Sequence, residues 1–221
     1  MKIQDFFAEA FYINLDKRTD RRAEFEAEIA RVGLADFVQR YPAAVDATHL
    51  PMGDYGRHRA CGKSHSNLIK YAAEKNLDNI LIFEDDAYFY DKNHLSGVEI
   101  VERALDDLAH IPDWDVFYFG GLIGRETAKP VTPNLITVNY VLSNHAYGVS
   151  RKAINTLLRY DPDVDSAIDG WIGGRDMKLY VAYPLASPQR EGRSDIDAWG
   201  NSVGVTMYEQ YYDDVKKRFK L

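Results

Sequence analysis

The sequence predicts an α/β fold, with a mostly parallel central sheet and helices on both faces. The main observation is the segment 79–88, Asn-Ile-Leu-Ile-Phe-Glu-Asp-Asp-Ala-Tyr, where an apolar run without alternation leads into three carboxylates. Such a run is typical of a strand buried on both faces of a parallel sheet. The second observation is the order of the first elements, since predicted strands and helices alternate along the chain, as in α/β proteins.

The remaining elements follow from apolar periodicity and from helix-capping and turn residues. We expect further strands at 11–15, 37–41, 114–119, 135–141, 146–150 and 179–183, of which 135–141 is at an edge or antiparallel. We expect helices at 19–32, 64–75, 98–108, 150–158 and 205–221. Ser64 is the expected cap of the second helix, which makes 42–59 a long polar loop of the kind that often carries function.

Composition limits the class of protein. The chain has 221 residues, a formal net charge of −7 and a single cysteine, so no disulfide forms within it. The negative charge argues against nucleic acid as a partner. The N-terminal stretch carries Asp5 and Glu9, unlike a signal peptide, and no apolar run approaches the ~20 residues of a transmembrane segment. We therefore expect a cytoplasmic protein.

Three groups of residues are candidates for a site. The first group is Glu84, Asp85 and Asp86, at the carboxyl end of the predicted strand. Ligands of α/β sheets bind at this end of the strands, and carboxylates there can coordinate Mn²⁺ or Mg²⁺. The alternative to a metal site is an acidic loop that simply follows a buried strand.

Basic and acidic residues elsewhere offer the other two groups. Arg18, Arg21 and Arg22 follow the first strand and start a helix, which suits a phosphate, although they also fit a solvated turn. Asp169 lies among apolar residues, so it is a candidate general base or a helix cap.

Four pieces of the chain, in order, resemble glycosyltransferase family 25. They are the opening strand with its arginine-rich turn (12–22), Cys-Gly-Lys-Ser-His at 61–65, Ile-Phe-Glu-Asp-Asp-Ala at 82–87, and Ala-Tyr-Gly-Val-Ser-Arg-Lys-Ala at 146–153. Asp169 and the segment 189–196 resemble later elements of the family. Two departures are Ala60, where the family has glycine, and Lys63, where it has an apolar residue.

The resemblance implies one Rossmann-like GT-A domain over 1–221, with a donor-nucleotide half of about 1–120 and an acceptor-side half of about 121–221. It implies a nucleotide-sugar donor, most simply a UDP-sugar, a glycan or other hydroxyl acceptor, a divalent cation and inversion at the anomeric carbon. Asp86 is then the first metal ligand and Asp85 the second. The expected donor-site residues are Asn14, Leu15, Arg18, Arg21, Arg22, Ser64, His65, Glu84, Asp85 and Gln189.

The catalytic base remains open at this stage. Asp169 is the first candidate, with His145 and Asp195 as rivals, and Asp195 or Ser194 alternatively completes the metal or diphosphate shell. A retaining mechanism would need no strong base. Two other functions use the same acidic strand end: a metal-dependent phosphohydrolase, which would lack an obvious Asp-x-Asp-x-Thr motif here, and a catalytically silent nucleotide- or glycan-binding module.

Overall fold

One eight-stranded sheet organises the fold, which is described by a computed structural model for residues 1–51, 54–92, 94–192, 195 and 204–220. The strands are β1 (Ala10–Asn14), β2 (Val38–Pro42), β3 (Asn79–Glu84), β4 (Val116–Tyr118), β5 (Leu122–Ile123), β6 (Lys129–Thr132), β7 (Leu135–Val138), β8 (Val141–Leu142), β9 (Ala146–Ser150) and β10 (Leu179–Ala182). The helices are α1 (Ile3–Phe6), α2 (Thr19–Arg31), α3 (Tyr55–Glu74), α4 (Gly97–Leu108), α5 (Arg151–Leu157), α6 (Ile168–Gly173) and α7 (Val205–Phe219).

The strand order of the main sheet is β2-β1-β3-β9-β4-β10-β7-β6, and β5 pairs with β8 in a separate ribbon. Six strands of the main sheet run in one direction, while β9 and β7 are antiparallel to their neighbours. The predicted α/β class with a mostly parallel sheet is confirmed. The strand expected at 135–141, at an edge or antiparallel, is β7, which is antiparallel to β10, and β6 lies outside it at the edge.

The predicted helices on both faces are confirmed by the two cores of the sheet. Successive residues of β3 alternate between them: Ile80 and Ile82 pack with α3, α5, α6 and α7, while Leu81 and Phe83 pack with α1, α2 and α4. All four of these side chains are fully buried. A strand covered on both faces has no solvent-facing position, which explains the unbroken apolar run in the sequence.

The start of α3 corrects the sequence prediction. This helix begins at Tyr55, not after Ser64, because the Asp54 side chain caps it by accepting from the Gly56 N–H at 2.7 Å. Ser64 lies in the middle of the helix. Its hydroxyl lies 3.4 Å from the Ala60 carbonyl and accepts from the Ala44 N–H at 3.0 Å, which ties the helix to the segment after β2. The predicted long loop is therefore shorter and ends at residue 54.

The functional edge of the sheet is set by strand direction. The carboxyl ends of β1 and β3 lie side by side, with Ile13 opposite Glu84 in their parallel pairing. Because β9 runs antiparallel to β3, the beginning of β9 lies at the same edge, where the Glu84 N–H donates to the His145 carbonyl at 2.8 Å. In the described part of the chain, no helix has the length and apolarity needed to cross a membrane.

The revised start of α3 can be tested by removing its cap. We expect Asp54→Ala to lower the free energy of unfolding by about 0.5–2 kcal/mol, because the Gly56 N–H loses its acceptor at the helix N-terminus. Asp54→Ser retains an acceptor and is the matched control. Urea denaturation of the three proteins measures the difference; equal stability of wild type and Asp54→Ala would contradict a helix start at Tyr55.

Candidate functional site

A cleft of about 190 Å³ opens at the carboxyl ends of β1 and β3. Its walls come from the end of β1, the segment after β2, one face of α3 and the end of β3, with further residues from the segments before β9 and after β10. The lining residues are Ile13, Asn14, Leu15, Arg21, Ala43, Val45, Ala47, Thr48, Arg57, Ala60, Cys61, Ser64, His65, Glu84, Asp85, Asp86, Ser143, Gln189 and Asp195. The structure thus brings together Asn14, Leu15, Arg21, Ser64, His65, Gln189, Asp195 and the acidic triplet.

Arg21 bridges the two aspartates at the bottom of this cleft. Its Nη1 donates to Asp85 Oδ1 at 2.9 Å and to Asp86 Oδ2 at 3.3 Å. The other oxygen of Asp85 accepts from Asn14 Nδ2 at 2.7 Å. Both aspartates are only 7% exposed, so the guanidinium offsets charge that would otherwise be costly to bury.

The carboxylates of Asp85 and Asp86 differ in how well hydrogen bonds satisfy them. Asp85 accepts two short hydrogen bonds, whereas the contacts of the Asp86 carboxylate, with Arg21 and Gln189, are long at 3.3 and 3.4 Å. Burial raises the pKa of Asp86 to about 7, and the neighbouring Glu84 carboxylate adds to the shift. Burial also raises the pKa of Asp85, although Arg21 and Asn14 oppose it. Asp86 is therefore the carboxylate with most to gain from a further cation.

Glu84 points to a different partner. Its Oε1 lies 3.3 Å from Nε2 of the fully buried His65, whose Nδ1 lies 2.9 Å from the Tyr147 hydroxyl. Burial favours a higher pKa for Glu84, but His65, His145 and Arg21 together outweigh it and lower the pKa. The triplet therefore divides between two sides of the cleft, with Glu84 towards α3 and the aspartates towards α2.

Gln189 connects the acidic strand end to α7. Its Nε2 donates to Asp86 Oδ1, and its Oε1 accepts from the Tyr208 hydroxyl at 2.8 Å. The backbone around it also pairs with the strand end, since the Arg190 N–H donates to the Asp86 carbonyl at 2.7 Å. Tyr208 is fully buried, so the hydroxyl that orients the Gln189 amide is held in place by packing.

Two of the three predicted arginines lie elsewhere. Arg18 pairs with Asp20 and with Asp195, and does not line the cleft. Arg22 pairs with Glu26 one turn along α2 and is also outside it. Asp195 lines the cleft and receives a hydrogen bond on its carbonyl from Arg57. Ser194, the alternative shell residue, lies outside the described residues.

Two of the candidate bases, Asp169 and His145, lie outside the cleft lining. The Asp169 carboxylate, in the first turn of α6, accepts from the Ser143 N–H at 3.1 Å and the Gly170 N–H at 2.7 Å. His145 is fully buried, its Nε2 lies 2.8 Å from the Ser187 carbonyl, and burial lowers its pKa. Neither residue lines the cleft, although Asp169 touches Ser143, which does.

Ser64 and His65 are predicted donor-site residues, but the sequence pattern alone does not place them on one helix face with Arg57, Ala60 and Cys61. Arg57, Ala60, Cys61, Ser64 and His65 follow the i, i+3, i+4, i+7 and i+8 spacing of one helix face. Once α3 is known to begin at Tyr55, this spacing is the signal that identifies its cleft-facing side. Burial raises the pKa of the Cys61 thiol, and nearby carboxylates add to the shift. Ser143 adopts a φ of +72°, for which the sequence gives no signal.

The raised pKa of Asp86 predicts a pH dependence of stability. Its value in the unfolded chain is about 3.9, so between about pH 4 and pH 7 the folded protein binds more protons at this site than the unfolded chain. The contribution of the Asp86 carboxyl group to the free energy of unfolding is therefore full below about pH 4 and is lost as the pH rises through about 7. We expect Asp86→Asn to gain on the order of 1–4 kcal/mol relative to wild type across this range in metal-free buffer.

Urea denaturation with a chelator, at about pH 5 and about pH 8, measures this difference. Asp36→Asn makes the same chemical change at an exposed position, at the amino end of β2, and is the control. A stability difference between Asp86→Asn and wild type that does not change with pH would contradict the raised pKa.

The sequence profile of glycosyltransferase family 25 (LPS biosynthesis protein) matches residues 56–172, just over half of the chain. A glycosyltransferase 25 family member of Drosophila melanogaster is 28% identical over 176 residues, 69% of this chain and 28% of that protein. Procollagen galactosyltransferase 2 of Mus musculus is 26% identical over 182 residues, and an inactive glycosyltransferase 25 family member 3 of Homo sapiens is 25% identical over the same length. Each of these alignments spans less than a third of the relative's own length.

Solved structures are similar only at a low level. A glycosyltransferase involved in glycosylation of the major capsid of PBCV-1 aligns with a TM-score of 0.36 and 13% identity, over 67% of this chain and 62% of that one. A mannose-1-phosphate geranyltransferase from Thermus thermophilus aligns with a TM-score of 0.43 and 12% identity, over 80% and 60%. The assignment therefore depends on the sequence profile, which covers most of α3, the acidic strand end and Asp169: this chain belongs to glycosyltransferase family 25.

Proposed function

We propose that the chain is a metal-dependent glycosyltransferase that moves a hexose from a nucleotide-sugar, most simply a UDP-sugar, to a hydroxyl of a glycan acceptor. The observation that carries this proposal is the Asp85–Asp86 pair, buried at the end of β3 and facing a cleft. Membership of the family supports glycosyl transfer as the reaction. The name of the mouse relative supports a hexose, galactose, as the transferred group.

The donor atoms of the aspartate pair fit Mn²⁺ or Mg²⁺. These cations prefer oxygen ligands and are often held by one or two carboxylates together with substrate phosphates. Asp86 would be the first ligand, because its two contacts are long and leave its oxygens available. Asp85 would be the second. When bound, the cation would offset the negative charge that develops on the departing nucleoside diphosphate.

Cationic side chains of the cleft support an anionic ligand. Arg57 is 7% exposed, and its guanidinium donates to the carbonyls of Thr48, Leu50, Pro51 and Asp195. Among the described residues it forms no ion pair with a carboxylate, so its charge is available to attract an anionic ligand. Arg21 supplies a second positive charge beside the aspartates. In our proposal the diphosphate lies between these two arginines.

The nucleoside is proposed to lie against the end of β1, where Asn14 and Leu15 line the cleft. The apolar side of the cleft, formed by Ala43, Val45 and Ala47, would contact the base or ribose. Asn14 is already committed to Asp85 and to the Arg18 carbonyl through its amide Nδ2. Its role would therefore be to fix the aspartate, with the ligand contacting neighbouring groups.

For an inverting displacement, the base must come within hydrogen-bond reach of the acceptor hydroxyl. Of the three candidates, Asp195 lines the cleft, and its carboxylate is paired with Arg18. Asp169 would act only if the contact with the Ser143 N–H opened. Nε2 of His145 donates to the Ser187 carbonyl, so its basic nitrogen is Nδ1, which is buried, and the residue does not line the cleft. The geometry therefore favours Asp195 as the base.

A nucleotide-binding module without turnover is the second candidate function. One observation favours it: Arg21 already pairs with both aspartates, so the pair is partly satisfied without a cation. The human relative named inactive is a further reason to measure binding and turnover separately.

Turnover is tested by release of UDP from a panel of UDP-sugars, with and without Mn²⁺. We expect metal-dependent release in wild type and a loss on the order of 100-fold or more in Asp86→Asn, because the developing charge loses its counterion. Asp36→Asn, exposed and remote from the cleft, should behave as wild type. Release of inorganic phosphate in place of UDP would identify a phosphohydrolase and refute the transferase proposal.

Binding is tested separately by thermal or chemical denaturation with UDP and Mn²⁺. At about 100 times its dissociation constant, the ligand should stabilise the protein by about 2.7 kcal/mol. Stabilisation without UDP release from any sugar nucleotide would support the binding module. The absence of stabilisation at millimolar UDP and Mn²⁺ would be evidence against both candidate functions.

A further inference from the structure

Three side chains of mixed chemistry meet on the α3 side of the cleft. Cys61 and His65 lie one helical turn apart on α3, and Glu84 ends β3 opposite them. One ligand atom from each, the Cys61 sulfur, a His65 ring nitrogen and a Glu84 carboxylate oxygen, lies within 4.8 Å of the other two. All three residues line the cleft. We call this group the Cys-His-Glu cluster.

The orientation of His65 is the strongest observation. The residue is fully buried, and its Nδ1 lies 2.9 Å from the Tyr147 hydroxyl, which is itself fully buried. Its Nε2 is buried and has no hydrogen-bond partner within the part of the chain that the structure describes. In the tautomer in which Nδ1–H donates to the Tyr147 hydroxyl, Nε2 carries a lone pair that a cation between His65 and Glu84 could accept. A histidine that binds a metal through one nitrogen typically has its other nitrogen fixed in this way.

Distances within the cluster fit a single tetrahedral ion. The His65 Nε2 to Glu84 Oε1 separation is 3.3 Å, without hydrogen-bond geometry. Nitrogen and oxygen ligands at about 2.0–2.1 Å from a tetrahedral ion are themselves about 3.3 Å apart. The three ligand atoms of the cluster lie within 4.8 Å of one another, so a small inward shift of the side chains would bring all three to bonding distance of one ion.

We propose that Cys61, His65 and Glu84 form a site for a thiophilic divalent cation of the Zn²⁺ class, with its fourth coordination position open to the cleft. Sulfur and imidazole ligands select such ions over Mg²⁺ and Mn²⁺, which take oxygen ligands. The site therefore differs in chemistry from the Asp85–Asp86 pair next to it. Binding converts the Cys61 thiol to a thiolate, and its proton passes to solvent. This inference is independent of the proposed transferase activity.

The site can be tested with Co²⁺ on the chelator-treated chain. Because Cys61 is the only cysteine, a thiolate-to-cobalt charge-transfer band in the near ultraviolet can come from no other residue. We expect this band in wild type, its disappearance in Cys61→Ser, and its displacement by Zn²⁺. His65→Gln should weaken Co²⁺ binding at least about 10-fold.

Two matched controls separate this site from its surroundings. His145→Gln changes another fully buried histidine outside the cluster and should keep the band. Asp86→Asn removes a carboxylate of the neighbouring acidic pair and should also keep it. Cobalt binding without a charge-transfer band would overturn the proposal, as would a band that survives in His65→Gln and is lost in Asp86→Asn.

A second measurement does not depend on how the variants fold. Zn²⁺ should slow alkylation of the Cys61 thiol in the folded wild-type chain at least about 10-fold, whereas Mg²⁺ at the same concentration should not. Equal alkylation rates with and without saturating Zn²⁺ would refute the site even if every variant were unfolded.

Discussion

The structure depends on how it buries the three adjacent carboxylates at the end of β3. Isolated charges cost several kcal/mol each when they leave water, and adjacent like charges add repulsion. Each carboxylate has its own partner on a different element: His65 of α3 faces Glu84, Asn14 of β1 binds Asp85, and Gln189 contacts Asp86. Arg21 of α2 bridges the two aspartates. The elements around the cleft are therefore held together by the charges that they surround.

Much of this arrangement was predictable from sequence. A short apolar run with no polar position is typical of a strand covered on both sides, and in α/β sheets the residues that follow such a strand lie at the ligand-binding edge. Asn14 and Leu15 follow from the same rule applied to β1. For this reason, the α/β class, the helices on both faces and the meeting of the β1 and β3 ends were predictable before the structure was known.

The remainder depends on contacts between distant parts of the chain. Ser64 is a good helix cap by residue type, but Asp54 caps the helix ten residues earlier, and a tertiary contact with Ala44 accommodates the serine within it. Whether Arg21 faces a phosphate or the aspartates depends on the position of α2 over β3, which is not encoded locally. The roles of the individual site residues, the metal and the division into donor and acceptor halves remain predictions.

The reversed direction of β9 determines which chain connections can modify the cleft. Because β9 runs against β3 and β4, the connection that enters it carries Ser143 and His145 to the functional edge, while the connection that leaves it, at Ser150, starts α5 on the opposite edge. Residues inserted before Ala146 would therefore reshape the part of the pocket that Ser143 lines. Residues inserted after Ser150 would lengthen the distal edge and leave the pocket unchanged. A change of length before β9 would thus alter the pocket, whereas the same change after β9 would not.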